Sequence, residues 1–188
     1  MRKRRWILWQ GLIGPSMERF VAARSENGFQ LSGLILQAHH DAPYVVRYSI
    51  EVDDAWCTRA VQVDVENDGQ HRVALAADGA GNWSRNTEPL IALDGCLDVD
   101  LEWSPSTNTL PIRRLGLAVG EARVVAAAWV RLPSLEVERL DQSYERLDDN
   151  RYRYRSGRFT ADLAVDSDGI VLQYGVNWEA VATSGELG

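Results

Sequence analysis

The feature that most narrows the fold is a period of two. From Tyr44 to Val52, residues Tyr44, Val46, Tyr48, Ile50 and Val52 fall on one face of an extended chain, while Val45, Arg47, Ser49 and Glu51 fall on the other. Val61, Val63 and Val65 repeat the pattern, and Asp53 and Asp54 between the two runs supply turn chemistry, so a hairpin is expected. Further strands read over 71–76, 97–103, 117–132, 135–147, 151–155, 158–165 and 170–174. They are separated by Asp78-Gly79, Asp149-Asn150, Ser156-Gly157 and Asp168-Gly169. Turns at such short intervals predict one large antiparallel sheet, and a sheet beyond about ten strands has to curl, close or be covered.

A strongly curved sheet needs something inside it. Two stretches are candidate helices: 16–23, short and weakly periodic, and 109–115, where Pro111 lies near a helix start and Thr107, Asn108 or Thr109 can cap it. The second is the better candidate. Leu110, Ile112, Leu115 and Leu117 would face the sheet, so the expected fold is mainly β, a large curved sheet wrapped around one helix at 109–115.

The chain has 188 residues, 45% of them apolar, and no linker or repeat divides it, so one domain over 1–188 is expected. A net charge of −7 argues against nucleic acid as a partner, because sequence-independent binding neutralises phosphates with a basic face. Cys57 and Cys96 are the two cysteines, far apart, and suggest neither a disulfide framework nor a zinc site. The segment Met1-Arg-Lys-Arg-Arg-Trp-Ile-Leu-Trp9 has a charged start like a signal peptide, but Gln10 and Gly11 interrupt the apolar part early, so a basic leader to a first strand is expected. No run of about 20 apolar residues is present, and no membrane span is expected. These readings imply a cytoplasmic protein in a reducing compartment.

Between Asp94 and Leu115 the chain runs Asp94-Gly-Cys-Leu-Asp98-Val-Asp100-Leu-Glu102-Trp-Ser-Pro-Ser-Thr-Asn-Thr-Leu-Pro-Ile-Arg-Arg-Leu115, which resembles the signature of the putative glycolipid-binding family, formerly a domain of unknown function. The likeness extends to Asp53, Trp56, Thr58 and Arg59, to the stretch from Asp78 to Trp83, and to Pro133-Ser-Leu-Glu-Val. Gln142-Ser-Tyr144 and 152–166 also match, in the family's order. The family usually has Thr-Pro-Phe where Ser104-Pro105-Ser106 stands here. The resemblance implies a bacterial protein with a many-stranded sheet around a single helix, a homodimer, and remote likeness to bacterial lipoprotein localisation factors. It also implies an acidic pocket for glycolipid and a role in glycolipid metabolism, with Glu18 as the family's N-terminal glutamate.

Read from the residues themselves, a strand through Asp98, Asp100 and Glu102 sets three carboxylates on one face, about 6.5 to 7 Å apart, with Leu97, Val99, Leu101 and Trp103 on the other. Ionised carboxylates accept hydrogen bonds only, which suits the donors of a sugar, although ion pairing with arginines is an equal alternative. Arg113 and Arg114 can fold back as partners of Asp98 or Asp100, either pinning the helix to the sheet or clamping an anionic head group. Trp56, Thr58 and Arg59 form a second polar and aromatic cluster, where Trp56 is either a sugar platform or core. Tyr152, Arg153, Tyr154 and Arg155 read as a ladder with aromatics inward and arginines outward.

Asp166 to Gly169 begins like a calcium loop but lacks the closing glutamate, so a hairpin turn is expected. His39 and His40 have no third ligand near them, and neither a metal nor a cofactor is expected. Neither a GxSxG elbow nor a Cys–His arrangement appears. The expected function is therefore binding: the sugar part of an amphiphile held near Asp98, Asp100, Glu102, Asn108, Arg113, Arg114, Trp56, Arg59 and Glu18. A hydrolase using the same carboxylates and a structural dimer without ligand are the alternatives.

Overall fold

The computed structural model describes residues 3–187. Strands β1 (Arg4–Gly11), β2 (Ser16–Arg24), β3 (Phe29–His39), β4 (Ala42–Val52), β5 (Thr58–Glu66), β6 (Gln70–Ala77), β7 (Trp83–Arg85) and β8 (Glu88–Pro89) follow one another as an antiparallel meander. The chain then crosses to the far edge of the sheet and lays down β9 (Asp98–Leu101). The helix α1 (Thr109–Leu115) follows, and β10 (Ala122–Val130) returns parallel to β9. A second meander runs back through β11 (Val137–Arg146), β12 (Arg151–Ser156), β13 (Phe159–Val165), β14 (Val171–Tyr174) and β15 (Trp178–Gly185), which pairs with β1. All fifteen strands belong to one sheet, and α1 is the only α-helix among the described residues.

Alternation decides the inner face. Across five strands in register, Ile7 meets Phe20, Phe20 meets Gly33, Gly33 meets Tyr48, and Tyr48 meets Val63. Apart from Gly33, these side chains are buried. The glycine serves its neighbour: a Cβ on Gly33 would lie 2.3 Å from the Tyr48 ring, so only glycine lets that ring lie across β3.

The sheet is rolled like a scroll, with β9 tucked inside. The Thr58 amide at the start of β5 donates to the Leu97 carbonyl (2.9 Å), and the Val99 amide donates to Thr58 Oγ1 (3.2 Å). Val99, Leu101, Ala128 and Val130 therefore pack into the core formed by the inner face of β1–β7. On the other side of β9, Asp98 is buried as well, so this strand is covered on both faces. A second apolar cluster gathers Tyr144, Tyr152, Tyr154, Leu163 and Val165 around Ile112 and Leu117, while Leu110 belongs to the first. The helix thus lies between two cores.

The helix at 109–115 is where it was expected, but 16–23 is a strand rather than a helix. Its residues Glu18, Phe20 and Ala22 point inward with a period of two, and pairing to β1 and β3 on both sides overrides the weak helical pattern. The expected run at 117–132 is shorter: it follows the left-handed Gly116 that caps the helix, Gly120 at φ 84° turns the chain within it, and β10 spans only Ala122–Val130. Asn108 occupies the N-cap position without a capping bond, and a short 3-10 turn, Ser106–Asn108, leads into the helix instead.

Arg114 donates to both oxygens of Asp98, Nε to Oδ1 at 3.0 Å and Nη2 to Oδ2 at 2.5 Å. The Asp98 side chain is 1% exposed and that of Arg114 13%, so this pair ties helix to edge strand almost out of contact with water. Burial pushes the Asp98 carboxyl up, against the lowering effect of Arg114. Arg114→Met should destabilise the protein by about 3–5 kcal/mol in urea unfolding, because it strands a buried carboxylate. Asp98→Leu combined with Arg114→Met should recover most of that loss; equal loss in the double variant would show that packing, not charge pairing, holds the helix.

Candidate functional site

The connection from β9 to α1 carries hydroxyls into the inside of the scroll. Ser104 Oγ donates to Glu18 Oε1 at 2.9 Å, Tyr48 Oη donates to the same oxygen, and Ser106 Oγ lies 2.8 Å from Tyr48 Oη and 2.6 Å from Ser104 Oγ. Glu18 is fully buried in β2, and its second oxygen, Oε2, meets no donor among the described residues. Burial pushes the Glu18 carboxyl up to about 7, despite the lowering effect of the Tyr48, Ser104 and Ser106 hydroxyls. A carboxyl poised between neutral and charged at physiological pH is thereby set directly behind Ser104.

Asp100 stands one pleat along from Asp98 on the same face. Its Oδ1 accepts from Thr107 Oγ1 (3.0 Å) and its Oδ2 from Gln142 Nε2 (2.6 Å). Burial, with smaller contributions from the Glu102 and Asp98 charges, lifts this carboxyl to about 6. Glu102 Oε2 accepts from the Leu132 amide (2.8 Å) and lies 3.9 Å from Arg131 Nε. The acidic row is thus three different environments: Asp98 closed by an arginine, Asp100 held by neutral donors, and Glu102 at the rim. Asn108 Oδ1 accepts from Tyr144 Oη (2.9 Å), and its amide donates to the Pro105 carbonyl (3.2 Å), which fixes its orientation.

These groups form one wall of a cavity of about 480 Å³, within the ~300–1,000 Å³ range of small-molecule sites. Asp100, Glu102, Ser104 and Asn108 give it hydrogen-bonding capacity. The aromatic part of the lining is made by Tyr154, Phe159, Tyr174 and Trp178 from β12, β13, β14 and β15. Phe159 and Tyr174 stack, with centroids 6.0 Å apart and planes 19° apart, and Phe159 is 44% exposed at the mouth. Leu101, Trp129 and Leu140 complete the apolar lining.

Of the residues singled out from sequence, Asp100, Glu102 and Asn108 line this cavity, and Glu18 lies one hydrogen bond behind it. The others are elsewhere. Asp98 is engaged by Arg114, which borders a separate recess with Arg123 and Arg139. The Arg113 Nη1 donates to the Asp168 carbonyl (2.7 Å), and its guanidinium lies 4.6 Å from the Trp56 ring. Phe29 stacks on Trp56 at 4.5 Å, so that ring is packed between a phenyl and a guanidinium. Arg59 donates to the Asp78 carbonyl near the surface. Asp166 makes the expected turn, accepting from the Asp168 and Ile170 amides (both 2.9 Å) while also holding Arg5. Among the described residues no group of three His, Cys, Asp or Glu side chains is arranged to hold a metal ion.

Sequence reasoning did not single out Ser104, Ser106, Phe159, Tyr174 or Trp178 as site residues. The two serines were visible as the place where the family motif departs. Tyr152 and Tyr154 do point inward, with Arg153 paired to Asp162 and Arg155 to Glu145 on the outside. That inward ladder was the available signal for an aromatic wall.

The chain belongs to the family described as putative glycolipid-binding, whose model matches residues 6–180. A crystal structure of a DUF1089 family protein from Pseudomonas aeruginosa is similar, at 37% identity and a TM-score of 0.78, over 85% of this chain and 88% of that one. No curated protein matches the chain. Among the described residues no helix is long and apolar enough to cross a membrane.

The Glu18 carboxyl has a direct consequence for stability. Its folded value of about 7 exceeds the ordinary 4.5, so the folded chain holds more protons between these limits and stability falls as pH rises through that window. Glu18→Gln has no such proton to lose. Compared by urea unfolding, the variant should gain on the parent by up to about 3 kcal/mol between pH 4.5 and pH 8. Parallel pH profiles would place the Glu18 carboxyl in its ordinary range.

Proposed function

We propose that the protein binds the sugar part of an amphiphile in this cavity and serves glycolipid metabolism by holding, not cleaving, its ligand. The observation that carries the reading is that one cavity is lined both by acceptors, Asp100, Glu102, Ser104 and Asn108, and by the rings of Tyr154, Phe159, Tyr174 and Trp178. Sugar hydroxyls are donors in search of acceptors, and Asp100 keeps lone pairs free beyond its bonds from Thr107 and Gln142. The C–H faces of a sugar ring pack against aromatic rings such as Tyr154 and Tyr174. Leu101, Trp129 and Leu140 offer apolar surface for the start of an acyl chain. Membership of a family described as glycolipid-binding supports the same ligand class.

Mass spectrometry on material extracted from natively purified protein should find a glycolipid. Asp100→Asn, folded by circular dichroism, should carry roughly tenfold to hundredfold less of it, the loss of one charge-assisted hydrogen bond. Unchanged loading in the folded variant would place the ligand elsewhere.

We further propose that two copies pair through the outer face of β1–β4. Trp6, Met17 and Leu36 are exposed there to between 39% and 47%, with Met17 directly opposite Leu36 in the register. A recess of about 620 Å³ beside them is lined by Pro15, Met17, Leu36, Pro43 and Val45. A self-complementary partner is the simplest cover for an apolar strip of this kind. Sedimentation equilibrium should give a dimer, and Leu36→Glu a monomer; a parent chain that stays monomeric across the concentration range would exclude the pairing.

A further inference from the structure

The cavity is unbalanced in charge. Among the described residues lining it, Asp100 and Glu102 are acidic, and none is Lys, Arg or His. Asp100 is held only by a hydroxyl and a neutral amide, so its two hydrogen bonds bring it no counter-charge. The nearest cation is Arg131, whose buried Nε lies 3.9 Å from Glu102 Oε2 without hydrogen-bonding to it; its guanidinium covers the ring of Trp129 at 4.8 Å and is shared with Glu138, so it offsets Glu102 at the rim and leaves Asp100 without a counter-charge. A third carboxyl stands immediately behind the lining: Glu18 is fully buried, touches Ser104, and leaves Oε2 without a donor among the described residues.

The aromatic wall completes the pattern. Tyr154, Phe159, Tyr174 and Trp178 come from four neighbouring strands, and the first three are in mutual ring contact at 6.0–6.1 Å. Ring faces attract cations through their quadrupole, and a cage of such rings beside carboxylates is the arrangement by which proteins select ammonium groups. A neutral sugar would leave the carboxylates uncompensated, and a phosphate, sulfate or uronate would meet like charge in a desolvated space.

We infer that the head group taken by this cavity carries a positively charged amine, as in an amino sugar with its nitrogen free, placed between Asp100 and the rings of Tyr154, Tyr174 and Trp178. This rests on the binding function proposed above and narrows its ligand to basic glycolipids. Burial acts in the same sense, since the lifted Asp100 carboxyl is the mark of a charge lacking a partner that an ammonium would supply.

Calorimetric titration of the full chain with octyl ligands below their micellar concentrations separates the claims. The probes are octyl β-glucoside, its 2-amino-2-deoxy form, the N-acetylated form of that amine, the glucuronide, and octylammonium. The free amine should bind about tenfold or more tighter than the glucoside and the N-acetylated form, with the glucuronide weakest, and Asp100→Asn should abolish the preference. Equal binding of glucoside and amine would overturn the cation inference while leaving sugar binding intact. Binding of octylammonium without any glycoside would keep the cation and remove the sugar. Binding of none would overturn both.

Discussion

The bond between Arg114 and Asp98 is the interaction on which the rest of the arrangement depends. The helix is only seven residues long, too short to persist on its own, and it owes its place to the two cores that it separates and to this guanidinium–carboxylate pair. Because Asp98 is the first residue of β9, the same bond fixes the inner edge of the scroll. With β9 and α1 held together, the intervening turn has no freedom to wander, and Ser104, Ser106 and Asn108 arrive at the cavity in defined positions.

The neighbouring carboxylates show how one strand and the turn after it place like groups in different environments. Asp98 has a cation and is spent on structure. Asp100, two residues on, has neutral donors and faces a cavity. Glu102 reaches the rim, where an amide and a distant arginine hold it. The difference follows from the helix: its last turn overlies the start of β9, and its first turn, entered through Thr107, overlies the middle. Only the positions beyond the reach of Arg114 remain available to a ligand.

Much of the fold was legible. Tyr44 to Val52 gave an unambiguous strand because one of its faces is buried and the other solvated, and Asp-Gly or Ser-Gly steps marked turns. The helix at 109–115 was visible from Pro111 and the flanking polar residues. Strand β2 was harder to read, since Met17 to Ala23 is nearly all apolar apart from Glu18 and Arg19, and both faces of the strand carry hydrophobic side chains. Strand β3 was missed for a related reason: Leu34, Ile35 and Leu36 form a continuous apolar run with no period to detect. The outer apolar strip that hides these strands from pattern analysis is the surface assigned above to a partner.

The site divides in the same way. The sequence by itself determined that Asp98 and Asp100 share one face of a strand, that two arginines follow within reach, and that tyrosines alternate with arginines at 152–155, because these are consequences of local periodicity; the expected strand at 97–103 ends at Leu101, so Glu102 lies in the turn beyond it. Which carboxylate meets which arginine was decided by the tertiary structure, and so was the joining of Glu18 to Ser104 across 86 positions of chain. The aromatic wall is likewise a product of the roll, since Tyr154, Phe159, Tyr174 and Trp178 lie on four strands whose common face appears only when the sheet curves. Periodicity assigns a side chain to a face; only closure of the sheet determines what that face surrounds.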